Sequence, residues 1–256
     1  MRGRKERRLR KARSGAPLFF KGPSFSQFFL MPATAPASLL FRIPLLVLGM
    51  AAAASGIAAV TTAGLGTTPI STLPLAVAEI FGMTFGTGTF IVNVGFVLGQ
   101  ILLLRRHFPL PNLLQIPVVL LFSVFIDGAM ALFGKLALPD AYAAHLGLSL
   151  FGNLLMAVGI VMQIRSKTLV QPGEGIVLAA SFVLRRPFGT LKIANDVSLV
   201  AASALLAWTT LGHTVAIREG TLVSAVLVGL LVKAIERLLG SGRKAEDEGK
   251  PALERE

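Results

Sequence analysis

An isolated acid within a long apolar stretch is the first residue in this chain that could do chemistry. Asp127 has no other charge within seven residues on either side. A charge at the centre of a bilayer costs about 3 kcal/mol or more, so such acids usually serve transport, or bind a partner that offsets the cost. Asp127 is therefore a candidate for proton or cation coupling. The alternative is a buried acid, either neutral or bonded to backbone groups.

Two further acids are candidates of the same kind, and a lysine accompanies one of them. Lys192 and Asp196 stand four residues apart, which places them on one face of a helix and predicts an intrahelical ion pair. Glu174 stands at a Gly-flanked helix start, where the helix dipole favours a carboxylate. Its two interpretations are a structural capping acid and a gate or ion ligand. The candidate ion-coupling residues are thus Asp127, Glu174 and Asp196.

Several kinds of chemistry lack the residues they need. The chain has no Cys, which excludes disulfides, thiolate chemistry and Cys-based metal sites. Its three histidines, His107, His145 and His213, are far apart and match no zinc-binding spacing. No phosphate-binding loop of the G-x-x-x-x-G-K-[ST] type is present. We therefore expect no catalytic residue, no metal and no cofactor, and we do not expect an enzyme.

The composition is that of a membrane protein. Of the 256 residues, 54% are hydrophobic and only 15% are charged, whereas soluble domains carry about 25% charged residues. Six apolar stretches are long enough to span a bilayer, and spanning segments of this kind form helices because lipid offers no hydrogen bonds to the backbone. The predicted spans are Leu39–Ala63, Phe85–Leu104, Leu113–Leu136, Leu146–Ile164, Leu191–Leu211 and Leu222–Leu239.

The apolar body repeats itself at an offset of 103 residues. The matched pairs include Gly49 with Gly152, Gly56-Ile57 with Gly159-Ile160, Pro69 with Pro172, Leu75-Ala76 with Leu178-Ala179, Phe85-Gly86-Thr87 with Phe188-Gly189-Thr190, and Asn93 with Asp196. Each repeat contains three spans, an odd number, so the second half must run opposite to the first across the membrane. The predicted fold is an all-α membrane protein with six transmembrane helices in two inverted three-helix repeats, an arrangement typical of secondary transporters.

A short segment follows the first span of each repeat. Short helices are predicted from about Pro69 to Phe81 and from about Pro172 to Leu184, with Thr68 as the N-cap of the first. Paired broken segments at matching places mark a transport site, whereas two flat interfacial helices are the alternative. Asn93 can coordinate a substrate or bond between helices. The candidate substrate path comprises Thr67, Thr68, Pro69, Asn93, Pro172, Gly173 and Lys192.

Positive charge predicts the orientation and the domains. Residues 1–22 hold nine Lys or Arg and one acid, which is typical of a cytoplasmic arm attracted to anionic lipid. No aromatic residues are interleaved in the first 18 residues, so nucleic-acid binding is not expected. The first apolar run begins too far in, and is too long, for a signal peptide. The predicted domains are a basic arm (1–37), a transmembrane domain (38–240, with repeats at about 39–136 and 144–240) and a charged cytoplasmic tail (241–256).

The loops complete the topology. Residues 64–84 carry no Lys or Arg and are expected outside, whereas the basic residues between the fourth and fifth spans are expected inside. Both termini are then cytoplasmic, in a multi-pass protein of the bacterial inner membrane. The expected partners are the lipid bilayer, an unidentified small solute and, as one option, further copies of the chain.

Four segments resemble a known family. They are GlyLeuGlyThrThrProIleSerThrLeuPro, ProGlyGluGlyIle, PheGlyThrLeuLysIleAlaAsnAspVal and IleArgGluGlyThr, and they resemble the YczE/YyaS/YitT-like integral membrane proteins over roughly residues 40–240. The chain departs from the YczE branch at Ile70, where an aromatic residue often follows the proline, and lacks the soluble C-terminal domain of YitT-type members. The resemblance implies a bacterial membrane protein and no particular chemistry.

These observations favour a small secondary transporter of an unidentified solute. One alternative is a substrate-binding membrane subunit that works with a separate energising partner. Another is a structural membrane protein that transports nothing. A lipid-modifying enzyme would need a convergent polar triad, and the sequence displays none.

Overall fold

The computed structural model describes the backbone of residues 36–215 and 217–249, and these residues are helical apart from short connections. They belong to one compact unit. The predicted basic arm up to residue 35, and residues 250–256 of the predicted tail, lie outside the described residues. The helices are α1 (Pro36–Thr62), α2 (Pro69–Ile80), α3 (Phe85–Leu104), α4 (Gln115–Phe133), α5 (Tyr142–Ser166), α6 (Pro172–Leu184), α7 (Phe188–Leu211) and α8 (Glu219–Gly249).

Five of these helices are long and apolar enough to cross a membrane, which confirms the prediction of an all-α, multi-pass membrane protein. They are α1, α3, α4, α5 and α7. The sixth predicted span lies in α8, whose apolar stretch is bounded by Glu219 and Lys233 and which is not among the five. The two short helices α2 and α6 lie where the sequence predicts them. Two short 3₁₀ turns, at Arg105–His107 and Leu110–Leu114, connect α3 to α4.

Corresponding helices begin at a nearly constant spacing along the chain. The starts of α2 and α6, Pro69 and Pro172, are 103 residues apart, as are the starts of α3 and α7 at Phe85 and Phe188. Proline suits the first turn of a helix because the amide hydrogen that it lacks would have no partner there. Each half of the chain therefore contains a long helix, a short helix and two further long helices, in that order.

Helices α1 and α5 form the most extensive contact in the protein, and they cross through glycines. The Cα of Gly49 faces Gly159, where an added Cβ would lie 2.9 Å from the carbonyl oxygen of Gly159. Gly56 faces Gly152 in the same way, with 2.6 Å between such a Cβ and the Gly152 carbonyl oxygen. Because rising numbers on α1 meet falling numbers on α5, the helices are antiparallel. Small residues allow this close approach.

The remaining helices pack around this pair. α4 lies against α1 and α8 against α5, whereas α2 packs on α7 and α3 on α6. α1 is central, since 56% of its apolar window is buried, against 17% for α7. The buried core where α1, α3, α4, α5 and α8 meet consists of Ala53, Ala54, Ile57, Phe85, Ile126, Met156 and Val228.

The connection from α1 to α2 is held by contacts from the other half. His145 on α5 bonds through Nδ1 to the Ala63 carbonyl oxygen at 2.8 Å. Arg218 donates to the Gly64 carbonyl oxygen at 2.8 Å, and the amide of Gly220 donates to the Leu65 carbonyl oxygen at 2.8 Å. These bonds fix the path of the chain toward the start of α2.

Candidate functional site

The start of α2 is buried and rich in hydroxyl groups. The Thr67 hydroxyl shares a hydrogen bond with the Thr61 hydroxyl at 2.9 Å, and Thr68 donates to the Ser71 hydroxyl at 2.8 Å. Thr68 occupies the N-cap position with extended backbone angles, as predicted, but its side chain makes no bond to a backbone amide of the helix. The amide of Ser71 instead donates to the Thr68 carbonyl oxygen. Thr67 and Thr68 are therefore anchored within the protein.

The start of α6 meets the start of α2. The side chain of Ile70 lies against Gly173, where an added Cβ would be 2.5 Å from Ile70 Cδ1. Both residues are the second of their helix, directly after Pro69 and Pro172. The two short helices therefore approach each other at their N-terminal ends, where the predicted path residue Gly173 lies against Ile70, the residue after Pro69. Ile70 fills the space above Gly173.

Two backbone amides in the first turn of α6 are hydrogen-bonded within the chain. Glu174 and Gly175 both donate to the carbonyl oxygen of Gln171, at 3.0 and 2.8 Å. These two donors are therefore not free to bind a ligand. The same holds for the Ser71 amide of α2.

Glutamine side chains hold the start of α6 to its neighbours. Gln100 on α3 donates to the Pro172 carbonyl oxygen at 3.2 Å and to Oε1 of Gln115 at 3.2 Å. Gln171 bonds to Gln163 on α5, and Gln163 donates to the Gly49 carbonyl oxygen at 3.2 Å. Together these amides link α6 to α1, α3, α4 and α5.

The other half has a matching interhelical bond. Ser203 on α7 donates to the Thr72 carbonyl oxygen of α2 at 3.0 Å. Ser203 stands 103 residues after Gln100, so equivalent positions on α3 and α7 each donate to the short helix of the opposite half. Both side chains are fully buried. Oε1 of Gln100 has no hydrogen-bond partner, and Gly175 leaves room for this amide, which would lie 2.7 Å from an added Cβ.

Three charged residues lie together at α6 and α7. Lys192 and Asp196 form the predicted intrahelical ion pair, with 2.9 Å between Nζ and Oδ1 and both side chains partly exposed. The Glu174 side chain is exposed, yet the surrounding chain partly desolvates its carboxyl group and raises the pKa of Glu174. The charge of Lys192 lowers that pKa and the charge of Asp196 raises it. Glu174, Lys192 and Asp196 therefore sense one another electrostatically and make up the charge cluster of the site.

Asp127 lies apart from that cluster, at the start of α3. Its Oδ1 accepts the Gly86 amide at 2.7 Å and its Oδ2 accepts the Thr84 hydroxyl at 2.7 Å. An added Cβ at Gly86 would lie 2.6 Å from the Asp127 carboxyl carbon. Asp127 thus caps α3 from the neighbouring helix α4. This geometry matches the alternative interpretation of a backbone-bonded acid, while its role in ion coupling stays a prediction.

Asn93, a residue of the predicted substrate path, bonds within its own helix. Asn93 donates to the carbonyl oxygen of Thr89 on its own helix at 2.8 Å. Sequence reasoning did not identify Gln100, Gln115 and Gln171 as site residues, and the signal that could have found them is polar amides within or beside apolar spans. In the part of the chain that the structure describes, no group of three His, Asp or Glu side chains could hold a metal ion.

The fold and these contacts define a multi-pass α-helical membrane protein with two short helices that meet in its interior. The profile described as "Family of unknown function (DUF6198)" matches residues 40–237, and the chain belongs to this family. Searches of curated proteins and of solved structures find no match.

Proposed function

We propose that the protein is a small secondary transporter of an unidentified solute, built from two inverted halves of three spans each, with α8 as the sixth span. α2 and α6 would be broken segments that enter the membrane interior. The observation that carries this proposal is the meeting of Ile70 and Gly173 at the starts of those two helices. Many secondary transporters bind substrate near the midplane, where the broken helices of two repeats come together.

Reciprocal contacts support the inverted arrangement. Gly49 meets Gly159 and Gly56 meets Gly152, and these are two pairs of positions 103 residues apart, with the partners exchanged. Such an exchange is the signature of two-fold symmetry. Because the two helices are antiparallel, the symmetry axis must be perpendicular to them, and it would lie in the membrane plane if they span the bilayer.

The charge cluster is the best-supported coupling site. Glu174 follows directly after Gly173 in α6, one residue along the chain from the contact of the two short helices. Two acids and one base leave a net negative charge, which a proton or a monovalent cation would neutralise. Asp127 has its own hydrogen-bond partners at the start of α3, so Glu174 and Asp196 are the stronger candidates of the three acids.

The location and topology belong to the same proposal. The basic arm, the resemblance to YczE/YyaS/YitT-like proteins and the charge pattern of the loops favour the bacterial inner membrane with both termini cytoplasmic. Neither a catalytic residue nor a metal or cofactor enters the proposal.

The experiment uses the purified protein alone in vesicles that contain a pH-sensitive dye. Groups of probes (amino acids, sugars, organic anions, organic cations and monovalent metal ions) are added under an imposed proton gradient. We expect at least one group to produce a solute-dependent proton flux or uptake that Glu174→Gln abolishes. No flux from any group, together with uptake that appears only with a co-purified energising subunit, would overturn the proposal in favour of a binding subunit.

A further inference from the structure

The two halves differ at one pair of corresponding helix contacts. α3 packs extensively on α4, whereas their counterparts α7 and α8 have no comparable packing among the described residues. Gly86, at the start of α3, touches the carbonyl oxygen of Ser123 on α4. Its equivalent Gly189, at the start of α7, has open space around its Cα. We call the facing surfaces of α3 and α4 the first seam and those of α7 and α8 the second seam. The surfaces of the first seam are in contact, whereas those of the second seam are apart.

The side chains on both sides of the second seam are more exposed than the equivalent side chains on α3 and α4. Phe85 is 6% exposed and its equivalent Phe188 is 39% exposed. On α4, Val119 and Ser123 are each 4% exposed, whereas their equivalents on α8, Leu222 and Val226, are 76% and 64% exposed. The contrast falls on equivalent positions: Ser123 is buried where α4 meets α3, whereas its equivalent Val226 is exposed on α8.

An exposed apolar stripe runs along α8 and includes Leu222, Val223, Val226 and Leu230. Leu230 occupies the position equivalent to Asp127, whose carboxylate bonds to Gly86 and Thr84 and holds the α3–α4 seam shut. Pro187, the equivalent of Thr84, gives α7 no side-chain cap. The second seam therefore has no counterpart of the Asp127 hydrogen bonds that join α4 to the start of α3.

We propose that the second seam is a gate, and that the protein has a second state in which the start of α7 closes on α8 as α3 closes on α4. Gly189 would then lie against Val226 and Leu230. The inference rests on the proposed function in one respect, since it takes the two halves to be equivalent across the α3–α4 and α7–α8 pairs.

The charge cluster of Glu174, Lys192 and Asp196 lies at the edge of the proposed gate. Lys192 follows Gly189 by one helical turn, so closure of α7 on α8 covers one side of the Lys192–Asp196 pair, which is now partly exposed. In the predicted topology α7 begins on the cytoplasmic side and α3 on the outer side. An open second seam with a closed first seam is then the inward-facing state of an alternating-access cycle, in which one repeat rocks against the other.

Disulfide trapping tests the gate on the full chain, which has no native Cys. The pairs Gly189→Cys with Leu230→Cys, and Gly189→Cys with Val226→Cys, place thiols at the positions that would meet. Gly189→Cys with Val228→Cys is the control, because Val228 lies on the opposite face of α8, in the buried core. A disulfide forms only when the Cα atoms come within about 7 Å. The oxidant is copper phenanthroline, applied in membranes, and each variant must first elute as a folded, monodisperse protein.

We expect an intramolecular disulfide of at least ten-fold higher yield in either test pair than in the control pair, seen as a mobility shift of the monomer band. Loss of transport on oxidation and recovery on reduction should follow if the protein is a transporter, but the cross-link itself is measured without any substrate. Failure of transport with successful cross-linking would therefore overturn the function and leave the gate. Disulfide dimers from Leu230→Cys alone would show that a second copy covers α8. No cross-link in either test pair would show that lipid covers it. Each of these two outcomes overturns the gate.

Discussion

Ile70 and Gly173 occupy equivalent positions in the two halves of the chain and lie against each other. In the proposed inverted repeat, a residue that contacts its own equivalent would lie close to the axis that relates the halves. The contact is asymmetric in size, since an isoleucine side chain fills the space that a glycine leaves. The centre of the proposed site is therefore one apolar side chain packed over one backbone position.

A methyl group at Gly173 should disturb this contact. In Gly173→Ala the new Cβ would lie 2.5 Å from Ile70 Cδ1. Because this atom is the end of a flexible side chain, we expect a loss of only about 1 kcal/mol from overpacking. Ile70→Val removes that Cδ1 and should restore most of the loss in the double variant, with a coupling energy of about 1 kcal/mol. Thermal unfolding in detergent measures the cycle, and Gly95→Ala on α3, which has open space, is the control. Simple additivity of Gly173→Ala and Ile70→Val would contradict the contact.

The crossing of α1 and α5 should be still less tolerant. An added Cβ at Gly159 would meet backbone atoms of Ala53 and Gly49, which cannot rotate away. We expect Gly159→Ala to lower the apparent Tm and to cost about 2–3 kcal/mol. Gly147→Ala lies on the same helix in open space, and it should stabilise by about 0.5–1 kcal/mol because alanine favours helix over glycine. Equal Tm values for the two variants would show that the helices do not cross at Gly159.

Local signals predicted the helices well, because they depend on residues close in sequence. Pro69 and Pro172 begin the two short helices because proline fits a first helical turn, and Phe85–Leu104 has the predicted bounds. The glycines of the repeat lie at the α1–α5 crossing, although the sequence did not predict which helices would cross there. Span count was harder, since the ends of α8 carry charges that leave it outside the five apolar helices.

The site was predicted only in part, because its bonds join residues far apart in the chain. Gln100 bonds to Pro172, 72 residues away, and no spacing rule connects them. Asp127 appeared isolated in the sequence, yet Gly86 and Thr84 bond to it from another helix. The Lys192–Asp196 pair was predictable because four residues make one helical turn. The open second seam is a difference between two similar sequences, which a repeat pattern cannot reveal.

Asp127→Asn separates capping from ion coupling. If Asp127 only caps α3, the variant should lose about 1–3 kcal/mol of stability, because an amide cannot accept both bonds and carries no charge for the helix dipole. Thr84→Val removes both the donor to Asp127 and the N-cap acceptor of the Thr87 amide. It alters no titrating group and should cost about 1–2 kcal/mol. If Asp127 couples an ion, Asp127→Asn should stay folded and bind solute but lose gradient-driven uptake, while Thr84→Val transports normally. Uptake and Tm are measured on both variants, and full pH-dependent uptake in Asp127→Asn would show that this acid is structural.

Single-Cys labelling tests the inverted topology. Phe81 and Arg186 stand in equivalent connections, α2 to α3 and α6 to α7, and both are exposed. In the absence of native Cys, an impermeant maleimide applied to intact cells with a permeabilised outer membrane should label Phe81→Cys and spare Arg186→Cys. Detergent-solubilised protein should label at both positions. Labelling of both residues from the same side would contradict the inversion of the two halves.

The raised pKa of Glu174 predicts how stability depends on pH. Desolvation raises this pKa above its usual value of 4.5, so the folded state favours the protonated acid. Its contribution to stability is complete below about pH 4.5 and is lost as the pH rises through the folded-state pKa. Glu174→Gln resembles the protonated acid and keeps that contribution at every pH. We therefore expect the variant and the wild type to unfold at similar temperatures near pH 4, and the variant to be the more stable of the two near pH 8. Glu79→Gln, an exposed acid on the other short helix, controls for the loss of one negative charge. A variant less stable than the wild type near pH 8 would contradict this. It would mean that attraction of the carboxylate to Lys192 and to the start of α6 outweighs desolvation, and that Glu174 is a capping acid whose pKa is not raised.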